Sequence, residues 1–177
     1  YVDHRLDQLQ AINAMLNNPK DPVQQVQKLQ EQNKTLQKTI EQYQQARVQQ
    51  LRDELIAAAP TTEAGYPLIC QEVSLEEQDM GKDLTTEIQN KQSSAIVLLG
   101  ARFDSKANLW LALPKALTDQ GWDASQMIKP LAAHIQGGGG GKAHFANAGG
   151  KNAEGLAAAL EEGQATLEGA LQTFTEQ

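Results

Sequence analysis

A run of five consecutive glycines, Gly137 to Gly141, is the feature that most constrains the fold of this sequence. Glycine has no Cβ, so the run can adopt backbone conformations closed to other residues, and its amides are unshielded. Most glycine runs are flexible linkers. Here apolar-periodic segments flank the run, and Phe145, Ala146 and Ala148 follow it closely. These flanking residues indicate that the glycine run lies inside a compact domain and is not a linker.

The charge distribution singles out the same region. The chain has 177 residues and a net charge of -7. Residues 1–60 carry seven basic and seven acidic side chains, so the whole deficit lies in residues 61–177. Yet residues 124–153 contain no acid, while Lys129, Lys142 and Lys151 lie there. A locally basic segment in an acidic half suits an anionic partner, although the overall charge weakens non-specific binding to nucleic acid.

Composition narrows the cellular setting. No apolar run is long enough to predict a membrane span, and the first residues lack the apolar core of a signal peptide. A single cysteine, Cys70, excludes an internal disulfide and favours the cytoplasm. Because the chain begins with tyrosine, we expect it to be a fragment of a larger protein.

The first third predicts two helices that form an αα-hairpin. Apolar residues spaced by three and four mark the first: Val2, Leu6, Leu9, Ile12 and Leu16. Asp21 and Pro22 are typical of a second helix start, and no Gly or Pro follows until Pro60. The second helix carries a heptad-like seam of Val26, Leu29, Asn33, Leu36, Ile40 and Tyr43, continued after a stutter by Arg47, Leu51 and Leu55.

The first helix is too short to cover this seam completely. The uncovered part predicts either a homodimeric coiled coil, with Asn33 fixing the register, or a helix that docks on another part of the parent protein. The residues themselves do not favour one over the other.

A second domain, residues 61–177, follows the helical domain of residues 1–60. We predict strands over 67–73, 95–101, 107–113 and about 144–148, the second and third forming a hairpin. Helices are predicted from the Ser74–Glu77 capping box to about residue 92, over 124–135, and after Asn152. The fold class is therefore α+β, with a few-stranded sheet covered by helices.

No catalytic or metal-binding pattern is present in the sequence. Cys70 lies within a predicted strand and has no neighbouring histidine, and the three histidines lack partners at ligand spacing. The acids Glu76, Glu77, Asp79 and Asp83 are typical of a solvated helix start. Lys142 is followed by Ala143, so the glycine run does not match a nucleotide-hydrolysing P-loop.

Binding is the function that remains for the glycine-rich segment. Successive free amides in a rigid turn form an anion-holding concavity, and lysines neutralise phosphates. Either Phe145 or His144 could stack on an unpaired base, although Phe145 fits better as core. The candidate binding residues are Gly137, Gly138, Gly139, Gly140, Gly141, Lys142, His144, Asn147, Gly149, Gly150 and Lys151.

The stretch GGGGGKAHFANAGG, with the helix before it and Lys151–Asn152 after it, resembles the C-terminal domain of alanyl-tRNA synthetases. That domain belongs to a superfamily shared with accessory domains of DHH-type phosphoesterases. Lys142 stands at the motif's basic position, and residues 146–150 match its closing Ala-polar-Ala-Gly-Gly segment. The order of a helical hairpin and then a small domain extends the resemblance over the whole chain.

The resemblance implies a tRNA-binding module that is not itself an enzyme. The parent would be an alanine–tRNA ligase, whose ATP, magnesium and zinc sites belong to upstream aminoacylation and editing domains. Binding of tRNA(Ala), at the outer corner of the L, and dimerisation through the helices are implied as well. The alternatives are a purely structural dimerisation module and a substrate-binding accessory domain of a DHH phosphoesterase, which would need an upstream Asp-His-His domain.

Overall fold

The helical N-terminal segment begins as the sequence predicts. In a computed structural model that describes residues 2–175, with the side chains of residues 4–173, α1 spans Val2–Met15 and α2 spans Pro22–Ala58. Asp21 caps α2, since the Gln24 amide donates to Asp21 Oδ1 at 3.0 Å. Asn17 and Asn18 turn the chain between the helices with φ of 63° and 49°, values that asparagine tolerates better than most residues. The predicted stripe includes Val2, whose side chain lies outside the described residues.

The apolar stripes of this segment are not covered. In α1, Leu6, Leu9 and Ile12 are 51%, 57% and 48% exposed. The predicted seam of α2 is exposed at each of its six positions, from Val26 at 39% to Tyr43 at 74%. Helix α1 therefore leaves the seam available for another partner.

The C-terminal third of α2 belongs to a different compact unit. The chain divides into Tyr1–Gln45 and Ala46–Gln177, and Val48, Leu51 and Leu55 are buried within the second unit. The prediction that Leu51 and Leu55 continue the exposed seam is wrong, because both pack into the core beside the sheet. The unit boundary consequently lies inside α2, whereas the predicted domain boundary at residue 60 follows the end of the helix.

A five-stranded sheet forms the centre of the second unit. The strands are β1 (Leu68–Glu72), β2 (Ile96–Phe103), β3 (Lys106–Ala112), β4 (Gly137–Lys142) and β5 (Phe145–Gly150). Their order is β1-β2-β3-β5-β4, with β1 parallel to β2 and the other neighbours antiparallel. The predicted β2–β3 hairpin is confirmed. The sheet therefore has two edges, β1 and the glycine strand β4.

Helices cover both faces of the sheet, which confirms the predicted α+β class. One face packs on α5 (Ala124–His134) and α6 (Leu156–Thr175), which follows a 3₁₀ turn, Ala153–Gly155. The other packs on α3 (Gln78–Lys91) and the end of α2. Helix α4 (Lys115–Thr118) is a single turn after β3. Within the described residues, no helix is long and apolar enough to cross a membrane.

Helix α3 starts later than its sequence predicts. The prediction that a Ser74–Glu77 capping box starts this helix is wrong, since the helix begins at Gln78 and the Glu77 side chain makes no capping hydrogen bond. Val73 and Leu75 are buried, so the segment before the helix is held against the core. Tertiary packing has overridden the local capping signal.

An ion-pair cluster joins α2 to α3. Asp53 accepts from Arg52 Nε and from Lys91 Nζ, both at 2.7 Å, and Arg52 also pairs with Glu87 at 2.9 Å. Hydrogen bonds from Arg52 and then Lys91 lower the pKa of Asp53 from 3.8 to about 2. Because this pKa is depressed in the folded state, the carboxylate contributes stability above its ordinary pKa and loses it as pH falls.

Replacing Asp53 with asparagine should therefore have a pH-dependent effect. We expect Asp53→Asn to lower the free energy of unfolding near neutral pH, and the difference from wild type to shrink as pH falls from about 4 to about 2. Urea unfolding across this range measures it. Asp83→Asn, on the solvent side of α3, is the matched control. A difference that stays constant with pH would contradict the assignment.

Candidate nucleic-acid interface

The glycine run forms the edge strand β4, and not the rigid turn that the sequence predicts. Its register against β5 runs from Gly137–Gly150 to Lys142–Phe145, and residues 143–144 connect the two strands. The expectation of a run of free amides is wrong, because part of the main chain pairs with β5, while no strand among the described residues pairs with its outer edge. Glycine can adopt the strand conformation but has no side chain, so β4 lacks the alternation of apolar and polar residues by which a strand is predicted from sequence.

Main-chain hydrogen bonds hold the β4–β5 connection against the core. The Leu113 amide donates to the His144 carbonyl at 3.0 Å, and the Ala124 amide donates to the Ala143 carbonyl at 2.9 Å. These contacts join the connection to the end of β3 and to the first turn of α5. The connection and the two strands beside it are therefore fixed relative to the sheet.

One side of the glycine strand packs directly on α5. A Cβ on Gly139 would lie 2.8 Å from Ala148 Cβ and 3.1 Å from Ile128 Cγ2. On Gly137 or Gly141 it would overlap the carbonyl oxygen of a β5 residue. Ala146 and Ala148 of β5 are buried on this same side. These glycines are therefore required by packing.

The opposite side of the strand is open. A Cβ on Gly138 or Gly140 would meet no atom within 4 Å. In the register, Gly140 lies opposite Asn147, and Gly138 lies opposite Gly149. We call these four residues the glycine face. It stays uncovered because α3, the helix on this side of the sheet, packs over β2 and β3.

A groove lined by three lysines adjoins this face. It encloses about 880 Å³ between α3, α4 and the β4–β5 connection. Lys82, Lys115, Lys142 and His144 line it, and its one acid, Asp119, pairs with Lys115 at 2.6 Å. We call it the lysine groove. Lys82 and Lys115 lie outside the acid-free segment, so sequence reasoning missed them, and only the sheet order shows that α3 and α4 approach Lys142.

The remaining predicted site residues are divided between two places. His144 and Lys142 share the groove, and Phe145 is half-buried against the core below it. Lys151 follows the far end of β5, so at about 3.3 Å per residue it lies on the order of 20 Å along the strand from the groove. Gly150 serves packing, because a Cβ there would overlap the Ile135 carbonyl oxygen.

The surroundings of Cys70 and His134 do not indicate a catalytic role. Cys70 is half-buried, and its Sγ lies 3.4 Å from the Leu160 carbonyl oxygen. Burial first, and then the charge of Glu168, raises the pKa of this thiol to about 11, which disfavours a nucleophilic thiolate. His134 pairs with Glu162 at 2.5 Å. Among the described residues, no three metal-ligating side chains cluster.

The fold and the glycine strand define a known class of domain. The family model described as "DHHA1 domain" matches residues 65–169, which is more than half of the sequence, and the chain belongs to this family.

Two curated relatives carry the same name. A 34% identical relative over 161 residues is "Alanine--tRNA ligase" of Parabacteroides distasonis, with 90% of this chain and 18% of that protein covered. A 30% identical relative from Porphyromonas gingivalis has the same name, with 92% and 18% covered. The chain thus spans about a fifth of the length of these relatives.

A solved structure supports the fold. The C-Ala domain of alanyl-tRNA synthetase from Aquifex aeolicus matches with a TM-score of 0.53 and 21% identity. The match covers 62% of this chain and 96% of that domain. Together, the family model, the relatives and this fold confirm the sequence-based resemblance to the C-terminal domain of alanyl-tRNA synthetases.

The two sides of the glycine strand should respond differently to substitution. We expect Gly139→Ala to lower the free energy of unfolding by about 1–3 kcal/mol, because the added methyl overpacks the contact with α5. Gly140→Ala, its neighbour on the open side, should leave stability unchanged or raise it by roughly 0.5 kcal/mol. Urea unfolding followed by circular dichroism compares them. Equal effects would show that packing does not distinguish the two sides.

Proposed function

We propose that this chain is the tRNA-binding module of an alanine–tRNA ligase, which helps to position tRNA(Ala) for aminoacylation and editing by other domains of the same protein. The observation that carries the proposal is the lysine groove next to a side-chain-free strip of sheet, in a chain whose net charge is -7. The relatives named alanine–tRNA ligase support the parent's identity.

The groove and the glycine face have complementary roles in this proposal. Lys82 and Lys142, which have no acidic partner among the described residues of the groove, neutralise phosphates, while the absence of side chains at Gly138 and Gly140 lets a sugar–phosphate backbone approach the sheet closely. Contacts of this kind position an RNA without reading its sequence. The acids elsewhere repel the same polyanion, so they restrict it to the basic side of the domain.

In this proposal, the aminoacylation and editing reactions of the parent ligase take place in other domains. As the resemblance implies, ATP, magnesium and zinc would be bound by upstream domains, and this chain would need no cofactor. The cytoplasm is the location that such a ligase requires, since its tRNA substrate is used there. A DHH phosphoesterase is disfavoured as the parent by the names of the matching relatives.

Salt dependence tests the groove directly. Each lysine–phosphate contact contributes roughly 0.7–0.9 to the slope of log K against log salt concentration. We therefore expect Lys82→Ala combined with Lys142→Ala to weaken the binding of tRNA(Ala) and to reduce the magnitude of the slope by roughly 1.5. Fluorescence anisotropy at several salt concentrations measures both quantities.

The matched control is Lys28→Ala combined with Lys38→Ala, which changes the net charge equally on an exposed part of α2. Adding Lys151→Ala to the groove variant tests whether the RNA reaches the far end of β5. A groove variant with the wild-type affinity and slope would exclude the lysine groove as the binding site.

A second candidate function is dimerisation through α2. The observation that favours it is the exposed apolar seam, in which Leu36 is 63% and Ile40 is 53% exposed. A second copy of the chain would cover this stripe with an identical one, and Asn33 would face its counterpart. This function is compatible with RNA binding, because the seam and the lysine groove involve different residues.

Sedimentation equilibrium tests the seam. We expect a concentration-dependent dimer, and we expect Asn33→Leu to stabilise the association or change its order, since a polar residue at such a position limits oligomer choice. Thr35→Leu, the matched control, adds the same side chain outside the seam and should change neither the stability nor the order of the association. A monomer at high micromolar concentration would contradict dimerisation.

A further inference from the structure

A smaller pocket adjoins the lysine groove and shares Lys82 and Phe145 with it. It encloses about 220 Å³, below the range of about 300–1,000 Å³ that is usual for drug-sized ligands. Its apolar lining consists of Trp110, which is 3% exposed, and the half-buried Phe145. The pocket is therefore large enough for one planar ring system and too small for a base pair.

Polar side chains surround this apolar lining. They are Gln78, Asp79, Lys82, Asn108 and Asn147. Within the described residues, none of these five side chains has an intramolecular hydrogen bond or ion pair. Elsewhere in the same unit, Arg52, Glu87 and Gln89 are engaged in such contacts. A small apolar pocket with convergent, unengaged polar groups is the usual form of a ligand site.

The backbone fixes the positions of these groups. Asp79 and Lys82 are three residues apart and so lie on one side of α3. A Cβ on Gly81 would overlap the Trp110 indole, which means that α3 rests directly on this ring. In the sheet, Trp110 lies opposite Asn147, and Asn108 lies opposite Gly149. The carboxylate and ammonium thus form one wall, and the two amides belong to the sheet.

We propose that this pocket binds a single unpaired guanine base of the RNA whose phosphates lie in the lysine groove. The inference rests on the proposed RNA-binding function and specifies its target. Guanine alone among the four bases presents two adjacent N–H groups, N1–H and the N2 amino group, next to a carbonyl oxygen, O6. Both oxygens of Asp79 can accept from that pair, while Lys82 donates to O6.

The surroundings favour a nucleotide over an isolated base. Because Lys82 lines both cavities and Lys142 lines the groove, a phosphate bonded to the same nucleotide would enter a basic environment. The half-buried ring of Phe145 provides the apolar contact that an unstacked base requires, and the buried Trp110 also lines the pocket. A base within a helix could not enter, so the pocket selects unpaired or looped-out guanosine.

Base discrimination in a short RNA tests the pocket. The probe is a fluorescent oligouridylate with one central guanosine, titrated with the 177-residue chain and compared with probes that carry adenosine or inosine at that position. We expect the guanosine probe to bind on the order of tenfold more tightly than the adenosine probe, as a bidentate base contact does. Inosine, which lacks the N2 amino group, should be intermediate.

Asp79→Asn separates the pocket from general electrostatics. Removing a negative charge should tighten the binding of plain oligouridylate, and Glu76→Gln, the control on the preceding segment, measures that increase. Asp79→Asn should show the same increase but lose the preference for guanosine. Equal binding of the guanosine and adenosine probes by wild type, or an undiminished preference in Asp79→Asn, would overturn the pocket. Failure of every RNA, including tRNA(Ala), to bind would overturn the proposed function as well.

Discussion

The contact between the end of helix α5 and the backbone of β5 is the constraint on which the candidate site depends. The Ile135 carbonyl lies where a Cβ on Gly150 would be, and the same carbonyl accepts from the Asn152 amide at 3.0 Å. The His134 carbonyl accepts from Asn152 Nδ2 at 2.9 Å. Carbonyls at the end of a helix need such partners. Since these ones are satisfied by the chain that follows β5, the helix ends in contact with the sheet.

This ending also determines where β4 begins. Gln136, the second residue after α5, takes a φ of 50°, and the next residue is already in the strand. With no room for a longer connection, α5 lies on the strand that it introduces, and side chains on that side would separate them. Gly139, where an added Cβ would meet Ile128 of α5, is a consequence of this short connection, whereas Gly137 and Gly141 are required by the backbone of β5. On the opposite side, packing does not require glycine at Gly138 or Gly140, and the absence of side chains there leaves the main chain accessible to a ligand.

Electrostatics divide the molecule in a similar way. The second unit is acidic as a whole, but residues 124–153 contain no acid. The one acid in the lysine groove, Asp119, is paired with Lys115. A polyanion is consequently attracted to one part of the surface and repelled by others. Such an arrangement favours orientation over strong affinity, which suits the proposed role of presenting an RNA to other domains.

Local signals in the sequence predicted the elements that depend on local physics. Asp21 caps its helix, and the turn after Phe103 produces the expected hairpin. Packing between distant segments was not predictable. Leu51 and Leu55 continue a helical pattern, yet both are buried in the core beside the sheet. Lys82 lines the same groove as Lys142 only because α3 packs over β2 and β3, next to the β4–β5 connection. The tRNA-site residues named from the sequence remain a prediction, as does the coiled coil.

The uniformity of β4 has a consequence for how the domain folds. Five identical residues carry no information about alignment, and a slip by two positions would leave the same pattern on each side. The correct alignment must therefore come from the flanking Gln136 and Lys142 and from a preformed β5 and α5. Glycines also lose the most conformational freedom on ordering. The edge strand is for these reasons the natural candidate for the last part of the sheet to assemble and the first to open.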